Sequence, residues 1–507
     1  MKGFSLAEAL SHNARRKNTN PTRLIVGSFL AVILCGTLLL MLPVSNRDGQ
    51  MLDMLDAMFT ATSATCVTGL VVFDTYTQFS TFGQVVILLL IQVGGLGLVT
   101  LTTFFNIAVG RRLGFKSLRL ASESINLSDA SQARALLQFV MKVAFVFEAI
   151  GAALLALVFV PQFGADGIFI SVFISISSFC NAGFDILGRV MPGGSVIPYQ
   201  SNPYVLAVIS LLIISGGLGF LVWQDLSAYH RTHHLRTHTK LVLWITGWLL
   251  LLGTAGILFM EYNNPLTLGP MNLFDKITNA AFQSVSARTA GYNSIPLGDM
   301  TNFTKIFMSL LMFIGAAPGG TGGGIKVARL LLLFKSLAAE VRRMLRPRSV
   351  YVVRVNGRVV KDEVLRGVNV YMAAYCAIAV ASFLAVSVDD FSLETNLTAV
   401  LACFNNIGPG LGAVGAGPRG TGQQLFPVFN FFQSCAFVGY ASGQTGNIPH
   451  YCAVQPPYLE PHALKTGYGR LWARPAQAAA ARLFAFLHIF CYSIFVCFRP
   501  HGGKGPY

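Results

Sequence analysis

The chain has 507 residues, 53% of them hydrophobic and 11% charged, with a formal net charge of +16. Soluble domains carry roughly 25% charged residues, so a soluble enzyme and a soluble nucleic-acid binder are both excluded. The composition is that of an integral membrane protein, in which the basic residues have to be read by position.

In chain order, residues 1–23 form a basic tail carrying Arg15, Arg16, Lys17 and Arg23, followed by an apolar stretch from Leu24 to Leu42. That stretch exceeds the roughly 7–15 residues of a signal-peptide core and has no small-residue cleavage site, so it reads as an uncleaved span. Further apolar runs suited to a hydrocarbon core of about 30 Å lie at 83–106, 135–160, 203–223, 241–260, 304–316 continued by 327–336, and 369–387. Between the members of each pair lies a shorter apolar run that cannot cross. Lysine and arginine gather in the N-terminal tail, in Arg111–Arg119, in Arg231–Lys240 and in Lys335–Arg366, whereas Arg47, Arg189 and Lys276 stand isolated. Basic loops stay cytoplasmic, so the N-terminus and both ends of each unit are expected on the inner side of the plasma membrane. Each short central segment then dips in from outside.

Four of these short segments end in a glycine-bearing elbow: Cys66–Leu70, Asn181–Asp185, Thr289–Asn293 and Asn406–Gly410. Their glycines Gly69, Gly183, Gly291 and Gly408 are 114, 108 and 117 residues apart. A spacing that regular, with a helix-sized apolar run on each side, marks one unit repeated four times. The expected fold is therefore an all-α membrane protein of four tandem span/pore-helix/span repeats around one central pore, with about eight transmembrane helices. The repeats fall at 24–110, 134–228, 240–345 and 369–445, the last with a weakly marked second span. A basic cytoplasmic connection occupies 346–368, and 446–507 is a tail of different composition.

Non-helical backbone at membrane depth is tolerated only where protein buries it or a watery path needs it, which places the elbows at the centre. Glycine permits positive φ and close backbone approach, so four elbows can turn carbonyl oxygens toward an axis and replace the hydration shell of an alkali cation. The expected ion-selectivity filter is Thr68 and Gly69; Asn181, Ala182 and Gly183; Thr289, Ala290 and Gly291; and Asn406, Ile407 and Gly408. Asp185 and Arg288 are expected to brace it or charge its mouth rather than bind the ion.

The third unit is interrupted by Gly315, Ala316, Ala317, Pro318, Gly319, Gly320, Thr321, Gly322, Gly323, Gly324, Ile325 and Lys326. Glycine costs about 1 kcal/mol and proline about 3 kcal/mol in a helix relative to alanine, so this break is built in. The spacing is not that of a phosphate-cradling loop, and an apolar helix rather than a strand precedes it. A mobile gate loop beneath the pore is the better reading. Gly94–Gly97 and Gly216–Gly219 follow the first two elbows and suit close helix packing.

The nine cysteines show no paired framework. His230, His233, His234 and His238 have spacings that could hold zinc, but they sit in a basic connection without cysteine or carboxylate nearby and read as a solvated linker. Glu148 lies inside an apolar span, as a functional group or as a partner for a neighbouring helix. No catalytic residues and no covalently bound cofactor are expected.

The string Thr60–Leu70, the Asn-Ala-Gly-Phe and Thr-Ala-Gly-Tyr-Asn elbows and the break ending Gly-Gly-Gly-Ile-Lys resemble the Trk/Ktr superfamily of potassium transporters over residues 20 to about 420. With no extra leading spans, the chain resembles the Ktr-type membrane subunit more than the Trk type, although its fourth elbow looks more Trk-like. The resemblance implies potassium as substrate, a homodimer with one pore per subunit, the broken third-repeat helix as gate, and a cytosolic ring of nucleotide-binding regulatory subunits. Lys335–Arg366 would be that ring's docking surface or a contact with lipid headgroups. Sodium coupling stays open.

The family's Gly-Arg-Leu-Glu-Ile motif is missing after Gly420. A back-translation of Gly439–His450 read one nucleotide later can spell it, so a frame slip near residues 419–423 is expected, which sequencing of the gene checks. Two rivals remain: a secondary transporter of another cation or small solute, which would show inverted repeats, and a membrane-embedded enzyme, which would need an intramembrane histidine pair or an activated nucleophile.

Overall fold

A computed structural model describes residues 21–97, 130–346, 351–355, 358–360, 362–388, 392–408 and 410. The N-terminal tail, the basic group at 111–119 and everything from 411 onward, including the second span of the fourth unit, the suspected frame slip and the tail, lie outside the described residues.

The molecule is almost entirely helical. The first unit runs α1 (Pro21–Met41), α2 (Met54–Thr65), an elbow, and α3 (Thr81–Leu96). The second runs α4 (Ala130–Phe163), α5 (Asp166–Phe179), an elbow, and the bent pair α6 (Pro203–Gly217) and α7 (Phe220–Thr232). The third has α8 (Thr237–Glu261), α9 (Leu273–Ser286), an elbow, α10 (Asn302–Phe313), the glycine-rich break and α11 (Val327–Leu345). A two-stranded hairpin, β1 (Arg354–Val355) with antiparallel β2 (Arg358–Val359), leads to α12 (Asp362–Val386), α13 (Leu393–Asn405) and the fourth elbow.

Side-chain caps mark the starts of α2, α13 and α6. Asp53 Oδ2 accepts the Leu55 N–H at 3.0 Å, Ser392 Oγ accepts that of Thr395 at 3.3 Å, and Asn202 Oδ1 accepts that of Val205 just before Pro203. Such caps contribute about 1 kcal/mol each. Short helices α2, α5, α9 and α13 are buried along most of their length, while α8 turns Trp244, Trp248, Leu251 and Phe259 outward. Large apolar side chains facing out along a long helix suit a lipid surface.

Three described helices are long and apolar enough to cross a membrane: Ala135–Phe163, His238–Glu261 and Asp362–Val386. The α6–α7 pair adds a fourth if counted as one span, fewer than the eight expected. Part of the difference lies in spans that extend outside the described residues, and part has a physical cause. The expected span 203–223 is not continuous: Gly219 takes φ 88°, the chain bends by 94°, and the Phe220 N–H is satisfied by Gly319 O at 3.0 Å instead of by its own helix. Across the bend, Trp223 Nε1 donates to Ser215 O at 2.8 Å. Helix α3 stops where Gly97 takes φ 80°, and the remainder of the expected span 83–106 lies outside the described residues.

Glu261, fully buried at the end of α8, ties the α8–α9 and α9–α10 connections of the third unit together. Its carboxylate accepts Asn264 Nδ2 (2.7 Å), Thr267 Oγ1 (2.6 Å), and both the N–H and the hydroxyl of Thr301 (2.9 and 2.8 Å). Glu261→Ala strands four donors and is expected to cost about 3 kcal/mol, with Glu261→Gln costing less. A thermal-unfolding midpoint in detergent that does not fall for the alanine variant would refute this.

Candidate functional site

Three of the four elbows grow out of the end of their short helix by nearly the same hydrogen bonds. In the first, Val67 N–H donates to Ala64 O at 3.2 Å and Thr68 N–H to Ser63 O at 2.8 Å; in the second, Asn181 N–H reaches Ser178 O (3.1 Å) and Ala182 N–H reaches Ser177 O (2.8 Å). The fourth repeats them with Asn406 to Cys403 (3.4 Å) and Ile407 to Ala402 (2.9 Å). This paired pattern closes a helix through one left-handed residue, and Val67, Asn181 and Asn406 have φ of 59°, 59° and 53°. The third elbow differs: Thr289 is left-handed at 81°, and Ala290 and Gly291 both donate to Ser286 O, at 3.0 and 3.4 Å.

Val67 was not among the expected site residues. Aligning the elbows on their glycines puts it in register with Asn181, Thr289 and Asn406, which is the signal that finds it. A β-branched residue in the left-handed region is a genuine outlier, costing on the order of 1–3 kcal/mol.

The four elbows meet. A Cβ built on Gly69 would overlap the carbonyl oxygen of Ala182, and one on Gly183 would overlap that of Ala290. A Cβ on Gly291 would lie 3.0 Å from the Gly408 Cα, and one on Gly408 would lie 3.2 and 3.3 Å from the carbonyl oxygens of Thr68 and Gly69. The contacts close a ring in chain order, lined by backbone, with room for no side chain at the glycines. Thr68, Asn181, Ala182, Thr289, Ala290, Asn406 and Ile407 are all buried around it, and the Thr68 hydroxyl reaches Asn406 Oδ1 at 3.4 Å. Behind the ring, Ser177 Oγ (2.7 Å) and Tyr292 Oη (3.0 Å) both donate to Phe184 O, and Ser286 Oγ donates to Tyr292 O.

The glycine-rich segment packs against three of the elbows. Gly324 N–H donates to Asn405 O at 2.8 Å, the Thr321 hydroxyl donates to Phe179 O at 3.0 Å, and the Asn181 amide meets the Thr321 hydroxyl at 3.2 Å. Cβ atoms on Gly322 and Gly323 would overlap the Thr289 hydroxyl and Asn405 O. On its other side the segment fills the α6–α7 bend, with Ala317 N–H to Gly217 O (3.0 Å) and Thr321 N–H to Gly216 O (3.2 Å). Gly315 pairs with Ile325 O at 3.1 Å, Gly320 N–H with Ala317 O at 3.2 Å, and Lys326 Nζ donates to Gly322 O at 2.6 Å. Pro318, Gly319 and Gly320 lie at the bend itself, where they face Gly219 or the carbonyls of Gly216 and Gly217.

The remaining polar candidates separate. Glu148 is buried beside the second elbow, where both its oxygens accept Gln92 Nε2 at 3.0 and 3.1 Å and Cys180 Sγ lies 4.0 Å away. Asp185, the last residue of the second elbow, accepts the Leu187 N–H at 3.0 Å. Arg288 lies behind the third elbow, lining a cavity with Thr246 and Ala316. The four histidines do not gather: His230, His233 and His234 are exposed, and no group of three metal-ligating side chains occurs among the described residues.

Residues 2–423, a range containing all four elbows and the glycine-rich segment, match the family TrkH, described as a cation transport protein. The chain is 37% identical to the potassium/sodium uptake protein NtpJ of Enterococcus hirae, over 72% of this chain and 79% of that one. It is 40% identical to the Ktr system potassium uptake protein B of Bacillus subtilis, over 64% and 71% of the two chains. Its fold is similar to the crystal structure of the potassium transporter TrkH from Vibrio parahaemolyticus, with a TM-score of 0.65, 20% identity and coverage of 85% and 84%. These relatives are transporters, not enzymes. A backbone-lined meeting point of four elbows inside a match that runs through all of them leads to one assignment: the chain belongs to the TrkH/Ktr family of cation transport proteins, as a membrane subunit consistent with the Ktr type.

Proposed function

We propose that this protein takes up potassium across the plasma membrane through a selectivity filter formed by the four elbows, with the glycine-rich segment 315–326 as its gate. One observation carries the reading: a Cβ on Gly69 or Gly183 would overlap a carbonyl oxygen of the next elbow, and one on Gly291 or Gly408 would press on the backbone of a neighbouring elbow. An aperture walled by carbonyl oxygens can replace the water around a dehydrated alkali cation. The short helices end at the same point, where the negative ends of their dipoles favour a cation. The four units act as span/pore-helix/span repeats around that axis, with the N-terminus inside, as the basic loops require.

The gate reading is supported by the segment's position: it joins the second, third and fourth elbows to the α6–α7 bend, so it cannot move without releasing hydrogen bonds at the filter. A cytosolic nucleotide-binding ring is the proposed regulator, and the end of α11 with the β1–β2 hairpin is its proposed seat. Lys335 Nζ donates to Arg354 O at 2.7 Å and Arg343 Nη2 to Tyr351 O at 3.1 Å, which folds this basic region into one unit. The subunit is proposed to work as a homodimer in contact with lipid.

Purified protein in liposomes is expected to take up rubidium down its gradient, with potassium competing and organic solutes not. Uptake of a solute without cation flux would overturn the reading. Repeating the assay with and without sodium decides whether sodium is coupled.

A further inference from the structure

We infer that a single small anion, of halide size, sits behind the third elbow between α6, α8 and α9, held by Arg288 and Thr246. Arg288 is only 9% exposed, and its Nε meets no acceptor among the described residues. None of the ion pairs among those residues includes it. Thr246 Oγ1, on the neighbouring α8, is likewise buried without a partner. Both residues line one cavity, whose other walls include Ile213, Ile214, Leu250 and Val285. Two buried polar side chains without partners thus line one small cavity whose other side chains are apolar.

A monovalent anion suits the site better than water does, because the negative end of α9, which stops just before Arg288, offsets only part of the guanidinium charge. Water can satisfy an N–H, but it leaves the guanidinium charge uncompensated, and an unpaired charge in the interior is among the most costly features a fold can carry. The buried carboxylates cannot serve, since Glu148 is engaged by Gln92, Asp225 by Arg236 and Glu261 by Asn264, Thr267 and Thr301. The cavity has room for about one water-sized occupant, which excludes a phosphate. Its hydrocarbon walls suit a weakly hydrated monovalent ion. Arg288 directly precedes the left-handed Thr289, so an anion there cancels a fixed positive charge that would otherwise stand beside the proposed cation path. Ala316 also lines the cavity, so its occupancy is sensitive to the position of the glycine-rich segment.

The test is a thermal-unfolding titration of the purified full chain, replacing gluconate by chloride at constant potassium, together with crystals grown in bromide. Chloride is expected to raise the midpoint by a few degrees, bromide to give an anomalous peak between Arg288 and Thr246, and Arg288→Gln to remove the chloride dependence. If that variant does not fold, Thr246→Val is expected to weaken the dependence, and the bromide peak in the unaltered protein decides. An empty cavity in bromide, or the same chloride dependence in Arg288→Gln, overturns the proposal.

Discussion

Gly183→Ala and Gly291→Ser are each expected to reduce the preference for potassium over sodium by about tenfold or more. Both positions have positive φ, at 69° and 93°, a conformation costing roughly 1–2 kcal/mol for a residue with a Cβ. The added atom must also displace backbone, the Ala290 carbonyl in one case and the Gly408 Cα in the other. A shift in carbonyl position worth about 1.4 kcal/mol between two ions is a factor of ten in selectivity. Gly49 supplies the control, since it has φ 68° but nothing within 4 Å of a Cβ. Gly49→Ala should carry the backbone strain without the selectivity loss. Rubidium and sodium uptake measured side by side in liposomes checks all three, and unaltered selectivity in both elbow variants would remove the elbows from the filter.

Deleting Gly319–Gly324 is expected to raise potassium flux roughly tenfold or more and, at the same time, to lower selectivity. The segment is held by bonds from Ala317 and Thr321 to the carbonyls of Gly217 and Gly216, from Phe220 to Gly319 and from Gly324 to Asn405. At about 1 kcal/mol each, their sum is on the order of 4 kcal/mol, enough to keep a closed position dominant. Loss of selectivity follows because the Thr321 hydroxyl contacts both Phe179 O and the Asn181 amide. Thr321→Val should show a smaller rise with the same sign. Unchanged flux after deletion would rule out an obstruction, and a rise with selectivity intact would show that the elbows hold their shape without the segment.

Much of this site is legible in the sequence because glycine is required where backbone must approach backbone, and four such glycines at near-equal intervals stand out. The first short helix, expected over Asp53–Ala64 and found over Met54–Thr65, is readable because the Asp53 carboxylate caps its start. The α6–α7 bend was not readable. Residues 203–223 are apolar throughout, and Gly216–Gly219 reads equally well as a packing surface; the bend is fixed by a hydrogen bond to Gly319, about 100 residues away in the chain. Val67 was hidden by its own propensity, since valine is among the residues least suited to left-handed backbone. Gly94 helps to hold it there, because a Cβ at that position would strike both Thr65 O and Val67 Cγ2.

The left-handed position at the base of each elbow holds Val67, Asn181, Thr289 and Asn406, three kinds of side chain at four corners. In a symmetric tetramer every substitution is imposed on all corners together, so an intermediate dose does not exist. A ring written along one polypeptide escapes that constraint: each corner can be altered by itself, in quarter steps, and the ring can drift toward unequal corners without ever passing through a form in which all four are damaged.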